Sequence, residues 1–122
     1  MSYNIVSRTD RDAQHLVEEI GSPDYCREHI VLATDADLYI AGTVLKDNGS
    51  GLGVRHDGTG DAIGILYGER DASGGDTRAV MNVRSTVYKK PLLVFATGTT
   101  DPQKTAVMAA MEANGLVGRD AY

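Results

Sequence analysis

Glycine and other turn-forming residues divide most of the chain into short apolar segments, and this spacing restricts the folds available to it. The chain has 14 glycines but only 3 prolines in 122 residues. Beyond His29, short apolar runs alternate with tight-turn dipeptides such as Asn48-Gly49 and Asp57-Gly58. Short strands joined by glycine turns are typical of a small β-rich domain and not of a series of βαβ units.

The apolar runs predict a set of short strands. Gly64 lies inside one of them and indicates a bulge or a close approach of two backbones. Leu116 and Val117 predict a last short strand near the end of the chain. The other predicted strands are residues 30–33, 38–40, 43–46, 62–67, 79–84 and 92–96.

Near its end the chain changes to helical spacing. Thr100 or Asp101 is a suitable N-cap, and Pro102 suits the first helical position. Asn114-Gly115 provides a stop, so we expect a helix over residues 102–114. Its predicted apolar face consists of Ala106, Val107, Ala110 and Met111.

Residues 1–28 form a polar segment that we distinguish from a compact body at residues 29–122. Ala13, Leu16, Val17 and Ile20 have helical spacing and predict a helix over residues 9–20. An isolated helix this short is marginally stable in water. It therefore either packs on its own domain or belongs to an arm that becomes ordered on a partner, and the sequence leaves both open.

Composition argues against several classes of protein. There are 12 basic and 17 acidic residues, a net charge of −5, whereas a non-specific nucleic-acid binder needs a basic surplus. The single cysteine, Cys26, excludes an internal disulfide framework and a CxxC site. No apolar run approaches the length of a membrane span, and the first residues lack the apolar region of a signal peptide. We expect a soluble domain of a reducing compartment that contacts neither nucleic acid nor membrane.

No catalytic, cofactor or metal site is predicted. His15, His29 and His56 lack the spacing of a helical metal site, and Cys26 has no supporting nucleophile motif. The glycine-rich stretches at residues 49–53 and 58–64 match neither phosphate-loop pattern and are interpreted as hairpin turns. The aspartate pairs, which lack EF-hand spacing, are interpreted as solvated loop residues: Asp35 with Asp37, and Asp71 with Asp76.

The order of several motifs resembles the lambda-type bacteriophage head decoration protein family. A strand-like AGTVLK segment is followed by AIGIL, DASGGD and AVMNVR, and then by a QKTAVMAAM helix and a GLVGR tail. Cys26-Arg27-Glu28 occupies the place where the family usually has S-R-D. Each motif is weak alone, but their common order and spacing are specific. The resemblance covers about residues 15–119.

The resemblance implies a small α+β, β-rich single domain with extensive irregular chain, one C-terminal helix and an N-terminal arm. It implies homotrimers at the three-fold positions on the outer surface of the expanded head. There the arm contacts the major capsid protein and the trimer cements neighbouring subunits against DNA pressure. It also implies that residues 9–20 are extended on the capsid instead of helical, and that the protein is not an enzyme.

From the polar arm we select apolar groups and one bidentate donor as capsid contacts, and glycines of the family-like motifs as structural turns. The predicted contacts are Tyr3, Ile5, Leu16, Val17, Tyr25 and Arg27. The predicted turn or close-approach positions are Gly42, Gly64, Gly74 and Gly75. The alternatives are another virion β-domain, such as a head-joining or tail component, and a small enzyme with an active site between subunits.

Overall fold

The computed structural model describes residues 15–120. In this part, eight strands and two helices follow one another, joined by turns and one 3-10 segment. In chain order they are β1 (Leu16–Glu19), α1 (Pro23–Cys26), β2 (Arg27–Leu32), β3 (Val44–Asp47), β4 (Gly53–Arg55), β5 (Ala62–Leu66), β6 (Thr77–Asn82), β7 (Thr86–Lys89), the 3-10 segment (Lys90–Leu92), α2 (Asp101–Glu112) and β8 (Leu116–Arg119). The expectation of a small β-rich domain with one main helix is confirmed in this outline.

Five strands close into a barrel in the order β2-β4-β3-β5-β6. Strand β6 completes the ring by pairing antiparallel with β2 over six residue pairs, from Arg27↔Asn82 to Leu32↔Thr77. The pairing between β2 and β4 is much shorter. It consists of one parallel residue pair, Leu32↔Gly53, and the adjacent hydrogen bond from Ala33 N to Gly53 O.

The remaining strands form a three-stranded sheet in the order β1-β7-β8. Strand β1 pairs antiparallel with β7 across a bulge between Leu16 and Glu18, and β8 pairs parallel with β7. Within the described residues, β1 and β8 are therefore the two edges of this sheet.

Alternation along β3 and β5 separates two hydrophobic cores, because successive side chains of a strand face opposite sides. Leu45 and Leu66 belong to one core together with Leu32, Tyr39, Ala72, Ala79 and Met81. Val44 and Ile65 belong to the other, which α2, β7 and β8 supply with Tyr88, Val107, Met111 and Leu116. The second core attaches α2 and the three-stranded sheet to the barrel.

The predicted C-terminal helix is confirmed as α2. Thr100 is its N-cap: the Thr100 hydroxyl accepts from Gln103 N at 3.3 Å, and Gln103 Oε1 accepts from Thr100 N at 2.9 Å. Of the predicted apolar face, only Val107 and Met111 are buried, whereas Ala106 and Ala110 are exposed.

The predicted helix over residues 9–20 is wrong where the structure describes it, because Leu16–Glu19 form strand β1. The extended form implied by the family resemblance is confirmed for these four residues. Pairing with β7 outweighs a helical spacing that is weak over so few residues. Residues 9–14 of the predicted helix lie outside the described residues.

The strand predicted over residues 92–96 is also wrong. Leu92 ends a 3-10 segment that contains Pro91, whose nitrogen cannot donate a hydrogen bond. The chain then makes one isolated bridge, Thr43↔Val94. Residues 38–40 likewise form no strand, although Tyr39 makes an isolated bridge with Arg70.

Candidate functional site

The described contact residues lie at different depths in, or directly after, a segment that we call the stem, residues 15–26, which joins the undescribed residues 1–14 to the barrel. Leu16 is half-buried on β1, whereas Val17 is 40% exposed. Tyr25 lies in α1 and is 59% exposed. Arg27 is the first residue of β2. Tyr3 and Ile5 lie outside the described residues.

The stem has an unusual share of exposed apolar side chains. Six large hydrophobic residues are exposed among residues 15–120, and three of them lie in the stem: Val17, Ile20 and Tyr25. The others are Leu38, Leu92 and Val117. Helical spacing predicts Ile20 on the apolar face of a helix, but in the structure Ile20 directly follows β1 and is 56% exposed. Three exposed apolar side chains within nine residues make the stem a candidate for a surface that another protein covers.

Backbone bonds hold the stem against the body at both ends of β1. Lys89 N donates to His15 O at 2.7 Å, and Ile20 N donates to Ser85 O at 2.7 Å. Beneath the following turn, Cys26 is fully buried, with its Sγ 3.5 Å from Ile20 O and 3.7 Å from Ser85 O. Cys26 is thus a small core residue that fastens the stem.

A polar network of four side chains ties the stem to the barrel. Arg27 Nε and Nη2 each donate to the carboxylate of Glu19 at 2.7 Å, and Asn82 Nδ2 donates to the same carboxylate at 2.7 Å. These bonds, those of Arg27 above all, hold the pKa of Glu19 below its ordinary value. Asn82 Oδ1 lies 3.1 Å from Nε2 of His15, the fourth member.

Arg27 is therefore already engaged within the molecule. Its guanidinium makes the bidentate pair with Glu19 and also lies 4.0 Å from the ring centre of Tyr67. The sequence predicts that Arg27 donates two hydrogen bonds to a capsid subunit. In the structure it supports the stem, and a contact with a capsid subunit stays a prediction.

The stem also contacts the segment after β6 through Arg84. Its guanidinium donates to the Tyr25 backbone oxygen, lies 5.0 Å from the Tyr25 ring centre and pairs with Glu28 at 2.5 Å. This packing fixes Tyr25 while leaving most of its ring in solvent. Sequence reasoning did not select Glu19, Asn82 or Arg84, because no local pattern relates residues about sixty positions apart.

The four predicted structural glycines differ in their surroundings. Gly42 has φ +95°, and a Cβ there would lie 2.5 Å from Leu92 O. Gly64 is buried in β5, and a Cβ there would lie 2.8 Å from Asn82 O. Gly74 and Gly75 lie at a turn closed by Gly75 N to Ala72 O, with no heavy atom within 4 Å of either Cβ position.

The other candidate chemical groups have local structural partners. His56 is buried, and its two ring nitrogens contact Gly60 O and Gly58 N, each at 2.9 Å. Asp35 and Asp71 each accept a backbone N–H two residues ahead, as in an Asx turn. Among residues 15–120, no three His, Cys, Asp or Glu side chains come together as metal ligands. The same part of the chain contains no helix long and apolar enough to span a bilayer.

Comparison with known families supplies the context for this geometry. The family model described as bacteriophage lambda head decoration protein D matches residues 8–116, most of the chain. The chain belongs to this family. No curated protein matches it in a direct search. The family is a structural component of the phage head, so membership supports a capsid decoration role in the virion.

Proposed function

We propose that this protein binds as a homotrimer at the three-fold positions on the outer surface of the expanded phage head. There it links neighbouring major capsid subunits against the pressure of packaged DNA. The family match over residues 8–116 is the observation that carries the proposal. Three copies around a three-fold axis form a closed C3 ring through a heterologous interface, in which each subunit uses two different surfaces.

The stem supplies the best-supported contact surface. Val17, Ile20 and Tyr25 expose apolar area on a segment fastened to the barrel by Cys26 and by the Glu19–Arg27 pair. Covering such area removes it from water, and large side chains on a fixed backbone lose little entropy on binding. We also propose Tyr3, Ile5 and Leu16 as capsid contacts, with residues 1–28 as the capsid-contacting arm and residues 29–122 as the body.

The mechanism is preferential binding with no chemical step. A ligand that binds only the expanded lattice stabilises that state by RT ln(1 + [L]/Kd), roughly 2.7 kcal/mol per site at a free concentration of ~100 Kd. Three arms held by one trimer act at a high effective concentration, so three weak contacts give tight attachment. The net charge of −5 favours a position away from DNA.

The decisive experiment compares expanded and unexpanded heads of the phage that encodes the chain. Purified protein is mixed with each, and bound protein is measured by sedimentation and located by electron microscopy. We expect saturable binding to expanded heads only, with trimeric density at three-fold positions. Equal binding to both forms, or density at a head vertex or a tail, would instead support another virion role.

Point variants test the contact surface in the full chain. Val17→Asp and Ile20→Asp place a charge where the proposed interface excludes water, so each should weaken binding to expanded heads at least tenfold. Leu38→Asp is the matched control, because Leu38 is 40% exposed like Val17 but lies outside the stem. An equal loss in all three variants, with the fold intact by circular dichroism, would contradict a stem-specific contact.

A heating experiment tests the cementing role. Heads stripped of the protein and heads to which it has been added back are heated while DNA release is followed with a fluorescent dye. Decorated heads should release DNA at a higher temperature, because dissociation must precede loss of the stabilised lattice. Superimposable release curves would leave decoration without mechanical stabilisation.

A further inference from the structure

His15 is a titratable group sealed at the junction between β1 and the barrel. It is fully buried, and it lies where the chain enters β1 from the undescribed residues 1–14. Its Cβ lies 3.2 Å from the position that a Cβ on Gly42 would occupy, so the base of the side chain lies against the Gly42 turn. The proposed decoration function makes no use of this buried group.

The hydrogen bonds fix the tautomer of the neutral ring. Asn82 Nδ2 donates to Glu19, so Asn82 Oδ1 faces His15 as an acceptor and Nε2 of His15 carries the proton. Nδ1 is then the unprotonated nitrogen. It is buried and has no hydrogen-bond partner in the described part of the chain.

We propose that His15 is an acid-sensitive latch: its neutral imidazole holds β1 against the body, and its protonation at mildly acidic pH releases β1. The added proton must go to Nδ1, where it creates a buried N–H without an acceptor. A buried charge with an unsatisfied donor is costly, whereas water solvates the same imidazolium freely once β1 has moved away.

The charged groups around His15 do not remove this cost. Burial is the largest influence and lowers the pKa of His15 below 6.5, and the positive charge of Lys89 on β7 acts in the same direction. The hydrogen bond to Asn82 on β6 and the negative charge of Glu19 on β1 raise the pKa of His15, but by less than burial lowers it. The Glu19 charge, however, is already bound by Arg27 at the start of β2.

The sign of the effect follows from linkage. In the released state the imidazole has its ordinary pKa of about 6.5, and in the docked state a lower one. Docking of β1 is therefore strongest above about pH 6.5. It weakens by up to about tenfold for each pH unit until the docked-state pKa is reached. Glu19 does not share this window, because its pKa is lowered from 4.5.

Strand β1 is the element that is able to move. It pairs only with β7 in the described chain, over three residue pairs interrupted by a bulge. Opening β1 exposes His15 and the Cys26 thiol but leaves the core of the barrel closed, so it costs far less than opening the barrel. The consequence for attachment to heads rests on the proposed function, whereas the latch itself is testable on the free protein.

The buried thiol of Cys26 provides the measurement, because it is the single cysteine and lies beneath Ile20 and Ser85. The full chain is labelled with 4,4′-dithiodipyridine, which reacts with thiols in acid, from pH 7.5 to 5. The rate on the unfolded chain at each pH corrects for thiol chemistry. We expect the corrected rate to rise below about pH 6.5, by up to about tenfold per pH unit, while circular dichroism reports an intact barrel.

Two variants decide whether His15 is responsible. His15→Gln retains a donor for Asn82 but does not titrate, so its corrected labelling rate should be independent of pH. His29→Gln, at an exposed histidine on β2, should keep the rise seen in the natural chain. The same rise in His15→Gln, or no rise in the natural chain, would overturn the latch.

If His15→Gln already labels rapidly at pH 7.5, the ring titration decides instead. Histidine NMR signals of the natural chain are followed from pH 8 to 4, with His15 assigned as the signal missing from the variant. The proposal requires a midpoint below 6.5 in the natural chain. A midpoint at or above 6.5 would show that the docked state accepts the proton and would refute the latch.

Discussion

Each strand of the barrel pairs on both sides, whereas the three-stranded sheet leaves β1 and β8 with one described neighbour each. The barrel encloses its own core, which includes Leu45 and Leu66. The sheet is held mainly by a second core shared with α2. A closed ring opens only when much of its core is exposed, but an edge strand detaches alone. The barrel is therefore the rigid part of the described chain. The edge strands of the sheet detach at a lower cost and leave one side free for a partner.

Gly64→Val should produce the largest change, because it acts on the barrel itself. A Cβ there would lie 2.8 Å from Asn82 O and 2.8 Å from Met81 Sδ, and the backbone oxygen cannot move without disturbing β6. We expect a loss of about 3 kcal/mol in the free energy of unfolding. Urea denaturation followed by circular dichroism measures it, and failure to fold would agree with a still larger loss.

The control for this change is Gly74→Val, where no heavy atom lies within 4 Å of the Cβ position. It should alter the free energy of unfolding by less than about 1 kcal/mol, since it meets no packed neighbour. Equal urea midpoints for Gly64→Val and the natural chain would show that β5 and β6 have room to separate. The barrel would then not be the rigid half of the molecule.

Alkaline pH should weaken the second core, which contains Tyr88. Burial raises the pKa of Tyr88 on β7 from 10 to about 12, with a further contribution from Glu112. Stability contributed by the neutral phenol is therefore complete below pH 10 and is lost as pH rises toward 12. We expect a loss of about 2 kcal/mol across that range, measured by urea denaturation at each pH.

Tyr88→Phe should remove the part of this alkaline loss that Tyr88 causes, whereas Tyr25→Phe, at an exposed ring in the stem, should leave the loss unchanged. Burial also raises the pKa of Tyr39 in the barrel core, so some alkaline loss should persist in the Tyr88→Phe variant. Ultraviolet absorbance of phenolate counts the late-titrating tyrosines independently, and the Tyr88→Phe variant should show one fewer. If Tyr88→Phe and the natural chain lose stability in parallel above pH 10, another group causes the alkaline transition. The second core would then be more open to solvent than its packing indicates.

Local signals explain which parts of the fold were predictable. The capping box at Thr100 and Gln103 acts within four residues, so the helix start followed from the sequence. Strands β5 and β6 carry enough apolar residues to be recognised, although β6 is shifted by two positions. Strands β4 and β7 were missed, because Gly53–Arg55 has one apolar side chain and Thr86–Lys89 has two between polar neighbours, too few to distinguish a strand from a loop.

The stem shows where local reasoning fails. Its helical spacing was overridden by pairing between residues about seventy positions apart, such as Leu16↔Tyr88. Ile20 was consequently placed on a buried face, although it is among the most exposed apolar side chains described. The boundary proposed between residues 28 and 29 lies within β2, so the last two residues of the proposed arm, Arg27 and Glu28, pair with the barrel. Motif order led to the family, but only the fold shows how the stem is attached.

Thr100→Ala should have a moderate effect on the sheet side of the molecule. It removes the hydroxyl that accepts from Gln103 N and leaves donors of the first turn of α2 unpaired. We expect a cost of about 1 kcal/mol. Thr105→Ala, at an exposed site within α2, is the control and should be neutral or slightly stabilising. Comparable losses for both would mean that the capping box contributes little to holding α2 against the sheet.

Glu28→Gln should have the smallest effect, and it contrasts with a matched change in the stem. Glu28 pairs with Arg84 at 2.5 Å, but their side chains are 52% and 34% exposed, so water and salt screen the attraction. We expect a change within about 0.5 kcal/mol that vanishes in high salt.

Glu19→Gln removes a similar charge at 2.7 Å from Arg27, but the Glu19 side chain is only 10% exposed. Arg27 would then lose its charged partner, so a cost of about 1–2 kcal/mol is expected, with little dependence on salt. Urea denaturation of both variants at low and high salt measures the difference. If the two changes cost the same, the stem is held by its backbone ladder and Cys26 alone. The polar network would then orient β1 without adding to the free energy that holds β1 on the body.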